Sequence, residues 1–263
     1  MNDAVFKKGS KTYYNASKFF PAQLRSEVTI LYTFVRIVDD FVDVKPPEKK
    51  NFLLWKKEFQ RAWSGKRTHI KEIAEFVTLA KKRTFKKEWI DSFFDSMEFD
   101  LNSKHCKTEK ETRWYVHGSA EVIGLMMAQL MRVPKQAHSA ASLLGRAMQY
   151  INFIRDVAED KHLGRNYLQL DMQPRTTVEK VHFAKRIQQC ITQYKRWTQE
   201  AATEFRHIPY PARIAVMTAS DMYLWTSKQI EKNPFIVFER KVKPKRIRIL
   251  LAGMKNTVKA LWI

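Results

Sequence analysis

Four aspartates carry the chemistry that this sequence can do. Asp39 and Asp43 stand four apart in VTILYTFVRIVDDFVDV, and Asp156 and Asp160 repeat the spacing in QYINFIRDVAED. Residues four apart share a helix face about one turn apart, so each pair projects together. Two carboxylates held this close repel, which a helix tolerates in water or around a cation. For an isolated pair a solvated face is the ordinary reading, and the neighbours change it here. Ile30, Leu31, Phe34, Val35, Ile37, Val38, Phe41 and Val42 cover nearly every side of the first segment. A helix apolar all round is buried, and ionised carboxylates buried without partners are costly. Arg36, three residues before Asp39, meets the first pair in part. In the second segment Gln149, Asn152, Asp156 and Asp160 make one polar stripe on an otherwise apolar helix, with Arg155 beside it.

Oxygen ligands without histidine or cysteine nearby suit a hard cation such as Mg²⁺, which keeps several waters and bridges carboxylates to phosphates. Two such pairs facing each other across a helical cavity form a clamp for a diphosphate. Arginines beside the carboxylates suit the same ligand, because a guanidinium binds phosphate oxygens bidentately.

Helices must position these groups. Seven glycines and nine prolines in 263 residues leave long uninterrupted segments, too few breaks for an all-β fold. The breakers and the apolar spacing predict helices over Thr12–Phe20, Leu24–Val44, Glu48–Trp63, Ile70–Leu79, Lys86–Ser103, Glu109–Met131, Gln136–Lys161, Val178–Arg206, Ala212–Lys232 and Phe235–Ala260. His162–Thr177, with Gly164 and Pro174, reads as a loop. No linker, composition shift or repeat divides the chain, so residues 1–263 are expected to form a single domain.

The chain is 44% hydrophobic, enough for a sizeable core, and its 48 Lys and Arg against 27 Asp and Glu give a formal charge of +21. Nucleic acid, an anionic membrane face and small polyanionic substrates all attract such a surface. The basic clusters at Lys45–Lys50, Lys81–Lys87 and Arg240–Arg248 carry no zinc-finger or RNA-binding signature. A basic nucleic-acid-binding helical protein would explain the charge but not the buried aspartates, so no nucleic-acid partner is expected. Cys106 and Cys190 lack the spacing of a disulfide framework or a zinc site. The first residues, MNDAVFKKGSK, contain no apolar signal core, and Val122–Met131 is half the ~20 residues of a spanning helix. The expectation is a cytoplasmic protein whose basic C-terminal segment touches an anionic membrane surface peripherally.

With these residues in view, SKTYYNASKFFP, YTFVRIVDDFVD and YINFIRDVAEDKHLGRNYLQLD resemble three signature blocks of the squalene/phytoene synthases. YVHGSAEVIGLM and FERKVKPKR are similar to two further blocks, in the same order, from Ser10 to Arg246. The resemblance implies an all-α fold, a single-domain isoprenoid-synthase helical bundle with a central active-site cavity. It implies Asp39, Asp43, Asn152, Asp156 and Asp160 as Mg²⁺ ligands, with the four aspartates and Tyr115 catalytic. Ser10, Thr12, Arg36, Gln149, Asn152, Arg155, Arg165, Tyr223 and Arg240 would bind the prenyl diphosphate substrates, and Arg165 and Tyr167 would close a loop over the site. Apart from the family, Tyr115 and Tyr223 read equally well as core tyrosines, Arg240 as surface and Ser10 as a helix N-cap. Asp40 and Glu159 point off the motif faces. Thr12, Gln169 and Glu121 depart from the usual serine, proline and small residue, which puts the loop shape and a helix break near Glu121 in question.

The reaction implied is a head-to-head (1-1') condensation through a cyclopropylcarbinyl diphosphate. Phe19, Phe20, Tyr32 and Phe34 would wall the cavity, and Met126, Met127 and Met131 would pack or line it. Ser17 and Thr29, both small, would line the tunnel near its end and favour geranylgeranyl diphosphate and phytoene. Squalene or dehydrosqualene from farnesyl diphosphate is the alternative, with NADPH required only for squalene.

Overall fold

Prolines and polar caps cut the chain into helices close to the predicted bounds. The computed structural model describes residues 11–102, 105–171 and 173–263, with the side chains of Lys11 and Thr12 outside the description. Helix α1 (Lys11–Ala16) runs into a tight turn at Ser17–Phe19, and Pro21 caps α2 (Ala22–Asp43). Then come α3 (Lys49–Trp63), α4 (Lys71–Lys82) and α5 (Lys87–Asn102). A continuous rod follows: α6 (Glu109–Val116), a wide π turn at His117–Glu121, and α7 (Val122–Leu130). The break in question near Glu121 is thus present, as a π turn.

Helix α8 (His138–Arg155) and α9 (Val157–Leu163) were expected as one helix. They are parted at Asp156, whose backbone swings to φ −101°, ψ 18°. Thr176 and Glu179 cap each other's backbone at the start of α10 (Thr177–Ala202), a capping box. Helix α11 (Tyr210–Lys232) begins on Pro209 and Pro211. The predicted last helix is two, α12 (Ile236–Glu239) and α13 (Arg246–Lys259), because Pro244 cannot donate to a helix and disfavours helical backbone before it. No strand is present among the described residues.

The core forms around aromatic residues from α2 to α5. Phe34 stacks on Phe76 with ring centroids 3.7 Å apart and meets Phe59 and Phe94 at 5.7 and 6.0 Å. All four are buried, and truncating such a phenylalanine to alanine costs about 3–5 kcal/mol. The π-turn rod crosses its neighbours at backbone distance. A methyl at Gly118 would strike the Ser92 carbonyl, and one at Gly145 the Ala120 carbonyl. Those approaches hold α5, the π turn and α8 together around a central space. A second apolar cluster, including Met131, Val133, Phe205, Ile208 and Ile214, closes one end of it.

Candidate active site

One cavity of about 830 Å³ runs through the bundle, near the top of the ~300–1,000 Å³ usual for ligand sites. Both aspartate pairs open into one end of it. Asp39 and Asp43 sit at the C-terminal end of α2, and Asp156 and Asp160 at the α8–α9 kink. From there the lining turns apolar along both helices, through Val35, Leu31 and Val28 on α2 and Met148, Leu144 and Ala140 on α8. At 1.5 Å per residue, Asp43 to Val28 is about 22 Å. The site therefore has an acidic, cation-lined head and a long apolar tail.

Asp39 faces the cavity, and protein surrounds it on its other sides. That burial, together with Asp43, pushes its carboxyl well above the ordinary carboxylate range. Asp160 is pushed up in the same way by burial and by Asp156. Their partners in each pair are neutralised by chain cations. Arg155 donates to Asp156 from Nε at 2.8 Å, and Lys241 lies 3.2 Å from Asp156 Oδ1. Arg165 donates to Asp43 at 2.7 Å and to the Val42 carbonyl at 2.7 Å. Arg36 pairs with Asp40 and lies 3.9 Å from Asp43. The head holds seven carboxylates (Asp39, Asp40, Asp43, Asp100, Asp156, Glu159, Asp160) against five cations (Arg36, Arg155, Arg165, Lys241, Lys243). Carboxylates in excess in a half-enclosed site call for further positive charge.

The donor set fits a hard divalent cation. Asp39 and Asp160 have raised proton affinity, and the Asn152 Oδ1 is buried with no partner among the described residues. Every free donor is oxygen. No three acidic, histidine or cysteine side chains among the described residues converge tightly enough to hold an ion unaided. An ion here would complete its shell with water and phosphate oxygens, as Mg²⁺ ordinarily does.

The cavity brings together most of the residues singled out in the sequence: Arg36, Asp39, Asp43, Tyr115, Gln149, Asn152, Arg155, Asp156, Asp160, Arg165 and Tyr223 all line it. Tyr223 stacks obliquely on Tyr13 at 5.7 Å. Ser10 and the side chain of Thr12 lie outside the described residues. Arg240 does not join the others. It is exposed and lines a separate groove, while Lys241 and Lys243 reach the cavity. Arg240 has extended backbone (φ −162°, ψ 154°), in which successive side chains alternate sides.

Of the expected wall, Phe20 and Tyr32 line the cavity, whereas Phe34 belongs to the aromatic core and Phe19 packs against Gly253. Met127 and Met131 line it, and Met126 is core. Ser17 lines it; Thr29 is buried elsewhere, donating to the Arg25 carbonyl at 2.8 Å. Asp40 and Glu159 come to the rim, each on a cation. Gln169 braces its loop, donating to the Cys106 carbonyl at 2.8 Å and the Tyr167 carbonyl at 3.1 Å.

Asp100 was not singled out in the sequence, yet it lines the head between the two pairs. The Tyr115 and Tyr167 hydroxyls donate to its two oxygens at 2.7 and 2.8 Å. Burial pushes its pKa up to about 6, against the opposing pull of Arg165. Its signal was present: Ile90, Phe93, Phe94 and Met97 define the buried face of α5, and Asp100 continues it. An acid on a core stripe is a functional-site candidate. Glu121 is likewise buried, accepting from Arg146 Nε at 2.5 Å and Ser142 Oγ at 3.2 Å. It neutralises within the fold what its sequence position left open.

Residues 6–248 match the squalene/phytoene synthase family. The chain is 27% identical to 15-cis-phytoene synthase of Pantoea ananas, over 93% of this chain and 87% of that one. It is 26% identical to phytoene synthase of Rhodobacter capsulatus over 87% and 71%. A dehydrosqualene synthase crystal structure superposes with a TM-score of 0.87 at 21% identity, covering 99% of this chain and 95% of that one. A squalene synthase from Alicyclobacillus acidocaldarius superposes at 0.76 and 17% identity, covering 88% and 92%. The fold is the isoprenoid-synthase helical fold of those structures, and the chain belongs to the squalene/phytoene synthase family.

Proposed function

We propose that this chain is a phytoene synthase, joining two geranylgeranyl diphosphates head to head in its central cavity. The observation that carries the reading is one cavity with both aspartate pairs at one end and an apolar tail behind them, about 22 Å from Asp43 to Val28 in all. A diphosphate fits the charged head, and two prenyl tails fit the wall.

In this reading Asp39, Asp43, Asp156, Asp160 and the free oxygen of Asn152 hold Mg²⁺. When bound, the metal supplies Lewis-acid charge to the diphosphates. Arg36, Arg155, Arg165, Lys241 and Lys243 meet the phosphate oxygens and stabilise the charge that develops as the C1–O bond of one substrate breaks. The allylic cation left behind is attacked by the double bond of the second substrate, and loss of a proton as the three-membered ring closes gives the cyclopropylcarbinyl diphosphate. The same cations draw off the second diphosphate, the carbon skeleton rearranges to the 1-1' linkage, and loss of a proton gives phytoene. Throughout, the apolar wall keeps water from the cation, and the faces of Tyr32, Phe20 and Tyr223 stabilise positive charge. Small Ser17 on the cavity wall leaves room for the longer substrate.

Purified protein is incubated with geranylgeranyl or farnesyl diphosphate and Mg²⁺, with and without NADPH, and extracted hydrocarbons are weighed by mass spectrometry. The reading expects a C40 hydrocarbon without NADPH, absent with EDTA and in Asp39→Ala and Asp156→Ala. A C30 product from farnesyl diphosphate alone would replace the substrate assignment with squalene or dehydrosqualene synthesis. No hydrocarbon from either, with the protein folded, would remove the catalytic reading.

A further inference from the structure

Helix α13 is packed on one side only. Ile249, Gly253 and Asn256 turn into the fold. Gly253 lets the backbone lie on the ring of Phe19, and Asn256 Nδ2 donates to Asp221 Oδ2 at 2.9 Å. The end of the helix is also fixed. Arg213 donates to the carbonyls of Ala260 and Ile263 at 2.9 and 3.0 Å, and the Tyr210 hydroxyl donates to that of Thr257 at 2.9 Å.

On the opposite side Ile247, Leu251, Met254 and Val258 are each more than half exposed, and Leu261 and Trp262 continue the row. Steps of four, three, four and three residues make one helical stripe. Seven of the thirteen large hydrophobic side chains exposed among the described residues fall between Ile247 and Ile263. Scattered apolar residues need no explanation, but such a concentration marks an interaction surface. By helix geometry Arg248, Lys255 and Lys259 border the stripe on one side and Arg246 on the other. The helix carries no acid.

We infer that this face docks the chain on the surface of an anionic lipid bilayer. The apolar stripe enters the boundary between headgroups and acyl chains, and the flanking cations meet lipid phosphates. The same cations argue against a second copy of the chain as the occupant, because a two-fold contact through the stripe would bring both sets together. The face also lies close to the cavity. Phe19, under Gly253, follows two residues after Ser17 of the cavity wall. The groove beside α13, walled by Trp225, Arg248 and Lys255, shares Lys241 and Lys243 with the cavity's charged head. The inference rests on α13 and stands apart from the reaction proposed above.

Co-sedimentation of the full chain with phosphatidylcholine vesicles, with and without phosphatidylglycerol, tests it. Binding is expected only to the anionic vesicles and to weaken with salt. Leu251→Glu/Val258→Glu should lower the partition coefficient about tenfold or more, and Lys255→Gln and Lys259→Gln about fivefold each, the effect of one cation near such a surface. All of these positions are exposed, so the melting temperatures should not move. Met254→Cys carrying an environment-sensitive dye should blue-shift on anionic vesicles. The same dye on Val178→Cys, an exposed position on α10, should not; the native Cys106 and Cys190 are buried. Undiminished binding by Leu251→Glu/Val258→Glu, or a Met254 dye that stays in water, would overturn the inference in favour of general adsorption of a basic surface. A dimer that this double variant dissociates, without vesicle binding, would assign the face to a second copy instead.

Discussion

Arg165 Nη1 donates to Asp43 Oδ1 at 2.7 Å across 122 residues of sequence, while the Arg165 backbone N–H donates to the Asp160 carbonyl at 2.7 Å. One residue thereby ties the two aspartate pairs together. The Arg165 side chain is only 7% exposed while Asp43 opens to the cavity, so loss of Asp43 would leave a buried cation short of a partner. Lysine keeps the charge but not the fork that reaches both Asp43 and the Val42 carbonyl. Arg165→Lys is expected to lower product formation on the order of 100-fold with a modest loss of stability. Arg165→Ala should cost about 1–3 kcal/mol in urea unfolding, the loss of hydrogen bonds from a buried cation to a carboxylate that itself opens to the cavity. Native activity in Arg165→Lys would show that charge alone suffices there.

The three raised carboxylates make a prediction about pH and metal together. Burial with Asp43 raises Asp39, burial with Asp156 raises Asp160, and burial lifts Asp100 to about 6. A carboxyl raised in the folded state favours folding at low pH. That contribution is full below the unfolded value near 4 and is lost as pH rises through the folded value. Without divalent ions, these groups should make the chain less stable at pH 7 than near pH 5. Asp39→Asn removes one such charge and should raise the melting temperature at pH 7.5 in EDTA by about 2–4 °C, the shift that about 1 kcal/mol gives a chain of this size. Mg²⁺ with inorganic diphosphate should raise the melting temperature of the native chain but much less that of Asp39→Asn. A less stable Asp39→Asn in EDTA would mean that Arg36 already satisfies Asp39.

How far the sequence carried this picture depends on the range of the interactions involved. The helices were legible because proline, caps and apolar spacing act within a few residues; α2 and α3 begin and end within about two residues of prediction. The aspartate pairs were legible because their neighbours are apolar on every side. The kink at Asp156 was not, since D-x-x-x-D reads as a regular turn and the break is local backbone geometry. Arg240 lies outside the cavity that Lys241 lines, and a pattern match cannot say which of two adjacent basic residues faces inward once the backbone becomes extended. Asp100 was on the page as an acid on a core stripe. Its two phenol partners come from positions 15 and 67 residues away, and no local pattern announces them.

Those phenols lead to a third prediction. Tyr115 and Tyr167 each donate to a different oxygen of Asp100 and stack on one another at 4.7 Å. Tyr115→Phe and Tyr167→Phe should each cost about 1–3 kcal/mol, the loss of a buried hydrogen bond to a charged group. Asp100→Asn should cost a comparable amount. Combined with Asp100→Asn, neither phenylalanine variant should add its full cost, because both bonds end on the same carboxylate. Urea unfolding of the single and double variants gives the coupling. Strict additivity would mean that the two hydroxyls act independently of Asp100.

Chain length of the product should respond to Ser17. Helix α1 and the turn after it follow the cavity from Tyr13, beside Tyr223 at the charged head, to Phe20, which packs against the apolar cluster closing the tail. Ser17 lies between them with its side chain on the cavity wall, and its hydroxyl donates to the Tyr14 carbonyl at 2.9 Å. A phenyl ring at this position would project into the tail space and shorten it. It would also crowd a buried site, at a cost of about 1–3 kcal/mol. Ser17→Phe is therefore expected to lose most C40 product while retaining or gaining C30 product from farnesyl diphosphate, in a protein that melts a few degrees lower. Ser17→Ala removes only the hydroxyl and should leave the chain-length preference where it was. If Ser17→Phe remains folded and still makes C40 product at the native rate, the tails run along another part of the wall, and Met127, Met131 and Leu144 become the residues to enlarge next.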